Sequence, residues 1–121
     1  MKVRCVRIFN GFGKPVQQSP WLTIGKVYPV LSLEFGIENG TRLRLIGDGQ
    51  NGVAIFRWDE FEVVSSLIPP MWIIVPGPKS TVDLAPEPWT QPGFWVRYYD
   101  GDSDAVDIFK KEARKIVEAD P

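Results

Sequence analysis

The sequence predicts an α+β fold of 121 residues, with short strands first, an aromatic and proline-rich stretch next, and an amphipathic helix last. Residues 1–68 alternate apolar and polar side chains in short runs punctuated by Gly, Asn and Asp, the pattern of half-buried strands and tight turns. Between Pro69 and Asp107 lie seven of the eleven prolines, three of the five tryptophans and six acidic residues. Beyond Asp102, apolar residues recur at helical spacing. At this length one domain with a real core is expected without metals or disulfides.

Lys2 to Phe9 mixes β-branched residues with charges and runs into Asn10-Gly11, Gly13 and Pro15, a turn or loop. Lys26 to Phe35 follows Gly25 with period-2 alternation: Val27, Leu31, Leu33 and Phe35 on one side, Tyr28, Val30, Ser32 and Glu34 on the other. Pro29 has no amide to donate, so this strand should lie at an edge or bulge there. Asn39-Gly40 signals a hairpin into Thr41–Ile46, where Leu43 and Leu45 should point inward and Arg42 and Arg44 outward. Gly47 to Gly52 makes the next turn before Val53–Trp58, and Phe61–Val64 is the fifth strand, reached through a tight turn at Asp59-Glu60. Five short strands with a long first connection and tight hairpins afterwards predict a small, strongly bent β-barrel of the SH3-like kind.

Pro69-Pro70 marks a break, so the single domain divides into a barrel over 1–68 and an extension with the C-terminal helix over 69–121. Met71–Val75 reads as a short buried strand bounded by Pro76-Gly77-Pro78, and residues 79–92 as mostly loop. Phe94–Tyr99 has a strand's composition, but Thr90, Pro92 and Gly101 are the punctuation of a short helix, which is the expected form of Gln91–Asp100. Asp102 or Ser103 then caps a helix with Asp104 and Asp107 early and Lys110, Lys111, Arg114 and Lys115 later, an order that matches the helix dipole. Ala105, Phe109, Ala113 and Ile116 form its apolar face.

No run approaches the roughly 18 apolar residues of a membrane span, and Met1–Phe9 lacks the apolar stretch of a secretory signal. A cytoplasmic protein with no membrane association is expected, and the single Cys5 agrees with a reducing compartment. The net charge of −1 conceals an asymmetry: residues 1–58 hold eight basic against three acidic residues, and residues 59–109 two against nine. A localised acidic block suits a basic partner and electrostatic steering toward it. The chain has no histidine, the usual general base, and no Ser or Cys in a nucleophile motif. The expected function is therefore binding rather than catalysis, with no cofactor.

Four carboxylates, Asp100, Asp102, Asp104 and Asp107, form the first candidate site. Their spacing superficially resembles a calcium loop, but Gly101 falls between the first two acids and the twelfth position is Lys111, so no metal is expected. Either they cap and polarise a helix N-terminus or they face a partner. Among the aromatics, Trp72 belongs to an apolar run and Trp21 and Trp58 flank strands, so these three are read as packing residues. Trp89, in the loop Pro86 to Pro92, is either an interface anchor or a lid on its own core, and Trp95 and Tyr98 stand close to the acids. The expected partner-binding set is Glu87, Trp89, Trp95, Tyr98, Asp100, Asp102 and Asp104. An alternative is a nucleic-acid-binding SH3-like module using a stripe of Arg42, Arg44 and Arg57, although solvated arginines on a strand face explain that stripe as well. A third class, an enzyme or small-ligand domain, would need two facing, perturbed carboxyl groups in a pocket.

The series Ser19-Pro20-Trp21-Leu22-Thr23-Ile24-Gly25-Lys26-Val27-Tyr28, Phe61-Glu62-Val63-Val64-Ser65 and Pro92-Gly93-Phe94-Trp95 leading into Tyr99-Asp100-Gly101-Asp102 resembles a group of small bacterial immunity proteins encoded beside polymorphic toxins. The resemblance implies a cytoplasmic inhibitor of one cognate toxin domain, commonly a nuclease, whose active surface it covers. Such families share no interface motif, so the resemblance assigns no binding residue. An acidic, aromatic-bearing face would suit a toxin's basic substrate groove.

Overall fold

The computed structural model describes residues 1–49, 52–77 and 79–121. The strands are β1 (Lys2–Cys5), β2 (Ile8–Phe9), β3 (Pro15–Val16), β4 (Val27–Pro29), β5 (Ser32–Gly36), β6 (Arg42–Ile46), β7 (Val53–Arg57), β8 (Phe61–Ser65), β9 (Trp72–Pro76) and β10 (Thr81–Pro86); α1 (Phe94–Tyr99) and α2 (Ser103–Ala119) follow, with 3₁₀ turns at Trp58–Glu60 and Glu87–Thr90. All ladders are antiparallel. They form a three-stranded sheet in the order β4-β1-β8, a five-stranded sheet in the order β7-β6-β5-β10-β9, and the small pair β2-β3. The α+β class is as expected; no ladder closes the sheets into a barrel among the described residues.

The strand expected over Lys26–Phe35 is two strands in two different sheets, and the division falls at Val30–Leu31. The Val30 N–H donates to the Met1 carbonyl at 3.0 Å, while the next N–H, of Leu31, donates to the Arg44 carbonyl at 2.9 Å. Simple alternation fails here because both side chains are buried, Val30 at 0% and Leu31 at 1% exposure. The Leu31 carbonyl accepts from Trp72 Nε1 at 3.0 Å, so a side chain from β9 completes the corner. Pro29 lies in β4, an edge strand, where its missing N–H costs no ladder bond.

Facing side chains fill the space between the sheets. Val3, Cys5, Tyr28 and Phe61 come from the smaller sheet and Leu33, Leu43 and Leu45 from the larger, all buried. Phe61 stands edge-on to Tyr28 at 6.5 Å and to Phe56 at 6.3 Å, which ties β8 to both sheets. Glu60, 5% exposed, closes this end by accepting from the Phe9 N–H at 3.1 Å and the Arg57 N–H at 3.2 Å. Of the Gly47–Gly52 turn, Gln50 and Asn51 lie outside the described residues, as does Pro78 of the Pro76-Gly77-Pro78 boundary. The Gly47 N–H donates to the Gly52 carbonyl across that turn at 2.8 Å.

Residues 79–92 depart from the loop expected for them. Thr81–Pro86 forms β10, which pairs with β5 on one side and β9 on the other. Asp, Ala and Pro are poor strand formers, but pairing on both edges outweighs that local preference. The expected parts 1–68 and 69–121 consequently share a sheet, and one core cluster runs from Val3 and Leu43 to Phe94, Phe109 and Ile116. The short helix expected near Gln91–Asp100 is α1, and the last helix starts where its capping residue predicts. Trp89 lies at 2% exposure with its ring stacked on Phe109 at 5.2 Å, docking the 3₁₀ turn onto α2.

Trp72→Phe keeps the ring and orphans the Leu31 carbonyl at the corner between the sheets. The expected loss is about 1–3 kcal/mol in urea unfolding, with secondary structure unchanged by circular dichroism.

Candidate functional site

The five-stranded sheet has one face of leucines turned toward the smaller sheet and an opposite face crossed by charges. Directly paired positions run Arg57, Arg42, Glu34, Asp83 from β7 through β6 and β5 to β10. Two neighbouring pairs in this row carry like charges, an arrangement that destabilises a sheet. Arg42 relieves Glu34 directly: its Nε donates to Glu34 Oε1 at 3.0 Å and its Nη2 to the same oxygen. Among the described residues Asp83 forms no ion pair within 4.0 Å, and burial together with the Glu34 charge holds its carboxyl above the usual range.

Arg44 is two residues from Arg42 on the same face and is covered. Its guanidinium lies 4.3 Å from the Trp95 ring centre, a cation–π contact. Burial lowers its pKa, opposed by the nearby Tyr99, Glu34 and Asp83. The Tyr99 hydroxyl donates to the Val53 carbonyl at 2.8 Å and pins α1 over this part of the sheet. Between sheet and covering segment lies a cavity of ≈ 410 Å³ whose lining includes Glu34, Arg44, Asp83, Trp89, Phe94 and Trp95.

Among the described residues, three buried side-chain polar atoms have no hydrogen-bond partner: Arg44 Nε, Asp83 Oδ1 and Trp89 Nε1. All three residues line this cavity. Buried polar groups are nearly always paired, and these three, each closed to a water-sized probe, belong to residues around one cavity. At Gly77, a Cβ would come within 2.2 Å of Thr81 Oγ1 and 3.1 Å of Asp83 Oδ2, so the close approach of the Thr81 side chain favours glycine there.

The expected partner-binding residues divide into two groups. Trp89 is a core residue and cannot anchor a partner in this fold, which corrects that reading: its stack on Phe109 takes up the area an interface would need. Trp95 and Tyr98 are partly buried in the same ring cluster, edge-on to each other at 5.6 Å. Glu87, Asp100, Asp102 and Asp104 are exposed. Asp102 accepts from the Ala105 N–H at 3.0 Å and from Arg97 Nη2 at 3.1 Å, and both contacts hold its pKa below the usual carboxylate range. It therefore serves as the cap of α2. Among the described residues no group of three or more His, Cys, Asp or Glu side chains is placed to hold a metal ion.

The arginine stripe is largely engaged: Arg42 by Glu34, Arg44 by Trp95, and Arg57 by Asp59 at 2.6 Å and by the Phe9 ring at 4.1 Å. The sequence signal for Asp83, which strand reasoning missed, was the alternation of Val82 and Leu84 around it. No described helix is long and apolar enough to cross a membrane. No family model, curated protein or solved structure matches the chain.

Two outcomes follow. Because the folded pKa of Asp83 is raised, its ionised form opposes folding once the pH rises through that value; Asp83→Asn should raise the melting temperature at neutral pH, with the gain shrinking on acidification. Trp89→Ala should cost about 3–5 kcal/mol in denaturant unfolding, the cost of emptying a core aromatic site.

Proposed function

We propose that this chain is a non-enzymatic inhibitor of the immunity-protein kind, binding one cognate toxin domain through the acidic corner where α1 meets α2. The supporting observation is that Asp100, Asp104 and Asp107 are exposed there and form no ion pair among the described residues, while Asp102 between them is fixed as the α2 cap. Unpaired carboxylates on a rigid helix start are preorganised for a basic surface and raise the rate of encounter with it. Exposed Val96 and Tyr99 add apolar area on the adjoining α1. In this reading the aromatic cluster beneath supports the surface, and the contact residues are the acids. The basic substrate groove of a nuclease is the kind of surface such a corner fits.

The two-sheet architecture is in keeping with an open SH3-like barrel as scaffold, with the corner at Val30–Leu31 and the 3₁₀ link Trp58–Glu60 between β7 and β8 as its supporting features. The barrel would hold the acidic corner rigidly, in the cytoplasm, without a cofactor.

Asp100→Lys, Asp104→Lys and Asp107→Lys combined should weaken capture of the product of the adjacent upstream gene by at least ~10-fold at low salt, an effect of ~1.4 kcal/mol or more. Wild-type capture should itself weaken as salt is added, and the thermal melt of the triple variant should remain cooperative. Undiminished capture by that variant, or no capture by the wild-type chain, would remove the proposal.

A further inference from the structure

The two larger sheets have edges at β4 and β8 and at β7 and β9. An unpaired edge is a template for another strand, and proteins guard it with proline, charge or cover. β4 ends in Pro29, β8 contains Glu62, and β7 ends in Arg57 and has its Val53 carbonyl bonded by the Tyr99 hydroxyl. β9 lacks such a guard along most of its length: Trp72, Ile73, Ile74 and Val75 are uncharged, and proline enters only at the last position, Pro76. Ile74 at its centre is 72% exposed.

The ladder register fixes where the β9 backbone points. The Gly77 N–H donates to the Thr81 carbonyl at 2.9 Å, so the hydrogen-bonded pairs with β10 are Gly77–Thr81, Val75–Asp83 and Ile73–Ala85. The alternate residues Trp72, Ile74 and Pro76 turn their backbone groups away from β10. The Trp72 N–H is taken by the Pro69 carbonyl at 3.1 Å, and Pro76 has no N–H. The outer edge therefore presents one donor, the Ile74 N–H, and three acceptors, the carbonyls of Trp72, Ile74 and Pro76, none bonded among the described residues. This inventory decides between occupants. Two copies of β9 bring one free donor each, so self-pairing makes at most two hydrogen bonds in any register and leaves four carbonyls without a donor. An antiparallel strand with an N–H on every residue accepts from Ile74 and donates to all three carbonyls, which makes four bonds. The side chains it would lie beside, Ile73, Ile74 and Val75, are aliphatic, so its middle residues are aliphatic or β-branched and uncharged.

We propose that β9 is a docking edge for an extended, uncharged segment of a partner protein, which adds antiparallel to the five-stranded sheet as its next strand. Backbone hydrogen bonds centred on Ile74 hold the segment, and the aliphatic side chains of β9 select its composition. The edge shares no residue with the acidic corner and does not depend on toxin binding.

Hydrogen exchange of the Ile73, Ile74 and Val75 amides in the ¹⁵N-labelled intact chain reads this edge directly. The probe is a capped heptapeptide of alternating valine and threonine, titrated into the millimolar range, with its fully N-methylated form as control. In the free chain Ile74 should exchange at least ~10-fold faster than Ile73 and Val75, whose amides are bonded to β10. The peptide should slow Ile74 exchange saturably by ~10-fold or more, and the N-methylated form, with no N–H to donate, should not. Ile74→Pro removes the outward donor without removing a ladder bond, and should weaken the peptide-induced shifts at Ile73 and Val75 at least ~10-fold while the melt stays cooperative. Should that variant fail to fold, Ile74→Lys, which guards the edge with charge and keeps every amide, carries the same expectation. Unchanged peptide binding by the folded variant would overturn the proposal. So would an Ile74 amide as protected as its neighbours in the dilute free chain, because the edge would already be covered. Protection that rises with protein concentration in the absence of peptide would assign the edge to a second copy instead. No slowing by the unmodified peptide, or equal slowing by the N-methylated one, would likewise remove strand addition.

Discussion

Two successive amides, Val30 and Leu31, donate to carbonyls in different sheets, and the rest of the architecture depends on that division. A strand satisfies its hydrogen bonds along a ladder, so a chain that leaves one sheet for another must do so where neighbouring residues can bond in both directions. Burial of both side chains at this point removes water as an alternative partner. Once the corner is fixed, β4 is held as the edge of the smaller sheet and β5 enters the middle of the larger one. Trp72 from β9 then donates its indole N–H to the Leu31 carbonyl at the corner. A residue from the later half of the chain thereby bonds to the corner in the first half, and the two halves share a sheet and a core.

The same arrangement creates the charged face. With β10 inserted between β5 and β9, Asp83 is brought directly opposite Glu34, and α1 lies across Arg44. Each of these placements is individually unfavourable: a carboxylate beside a carboxylate, and a guanidinium shielded from solvent. They persist because the sheet's leucine face and the Trp89–Phe109 stack supply enough burial to hold the segment in place.

Much of the fold was legible from local pattern. Arg42–Ile46 alternates cleanly because Leu43 and Leu45 are buried while the arginines lie on the opposite face, and the α2 cap follows from Asp102 preceding Ala105 at capping distance. β10 was not legible, because Asp83, Ala85 and Pro86 disfavour a strand until two neighbouring strands pair with it. The cavity was hidden for the same reason: its polar atoms come from β6, β10 and the 3₁₀ turn at Glu87–Thr90, residues far apart in sequence whose proximity is a tertiary fact. The acidic residues were readable as a cluster, but composition alone could not separate Asp102, a structural cap, from its exposed neighbours.

Trp89 shows why composition pointed to a surface where the chain built a core. A tryptophan among prolines looks exposed because proline-rich segments lack regular hydrogen bonding and usually run over the surface. Here Pro86 ends β10 and Pro88 lies inside the 3₁₀ turn, so the prolines set the backbone angle that drives the ring inward against Phe109. Burying an indole this deeply normally requires a partner for its N–H. The ring is fixed by stacking and its N–H is left without a partner among the described residues. One side chain therefore contributes packing with its ring and leaves an unsatisfied donor at its edge.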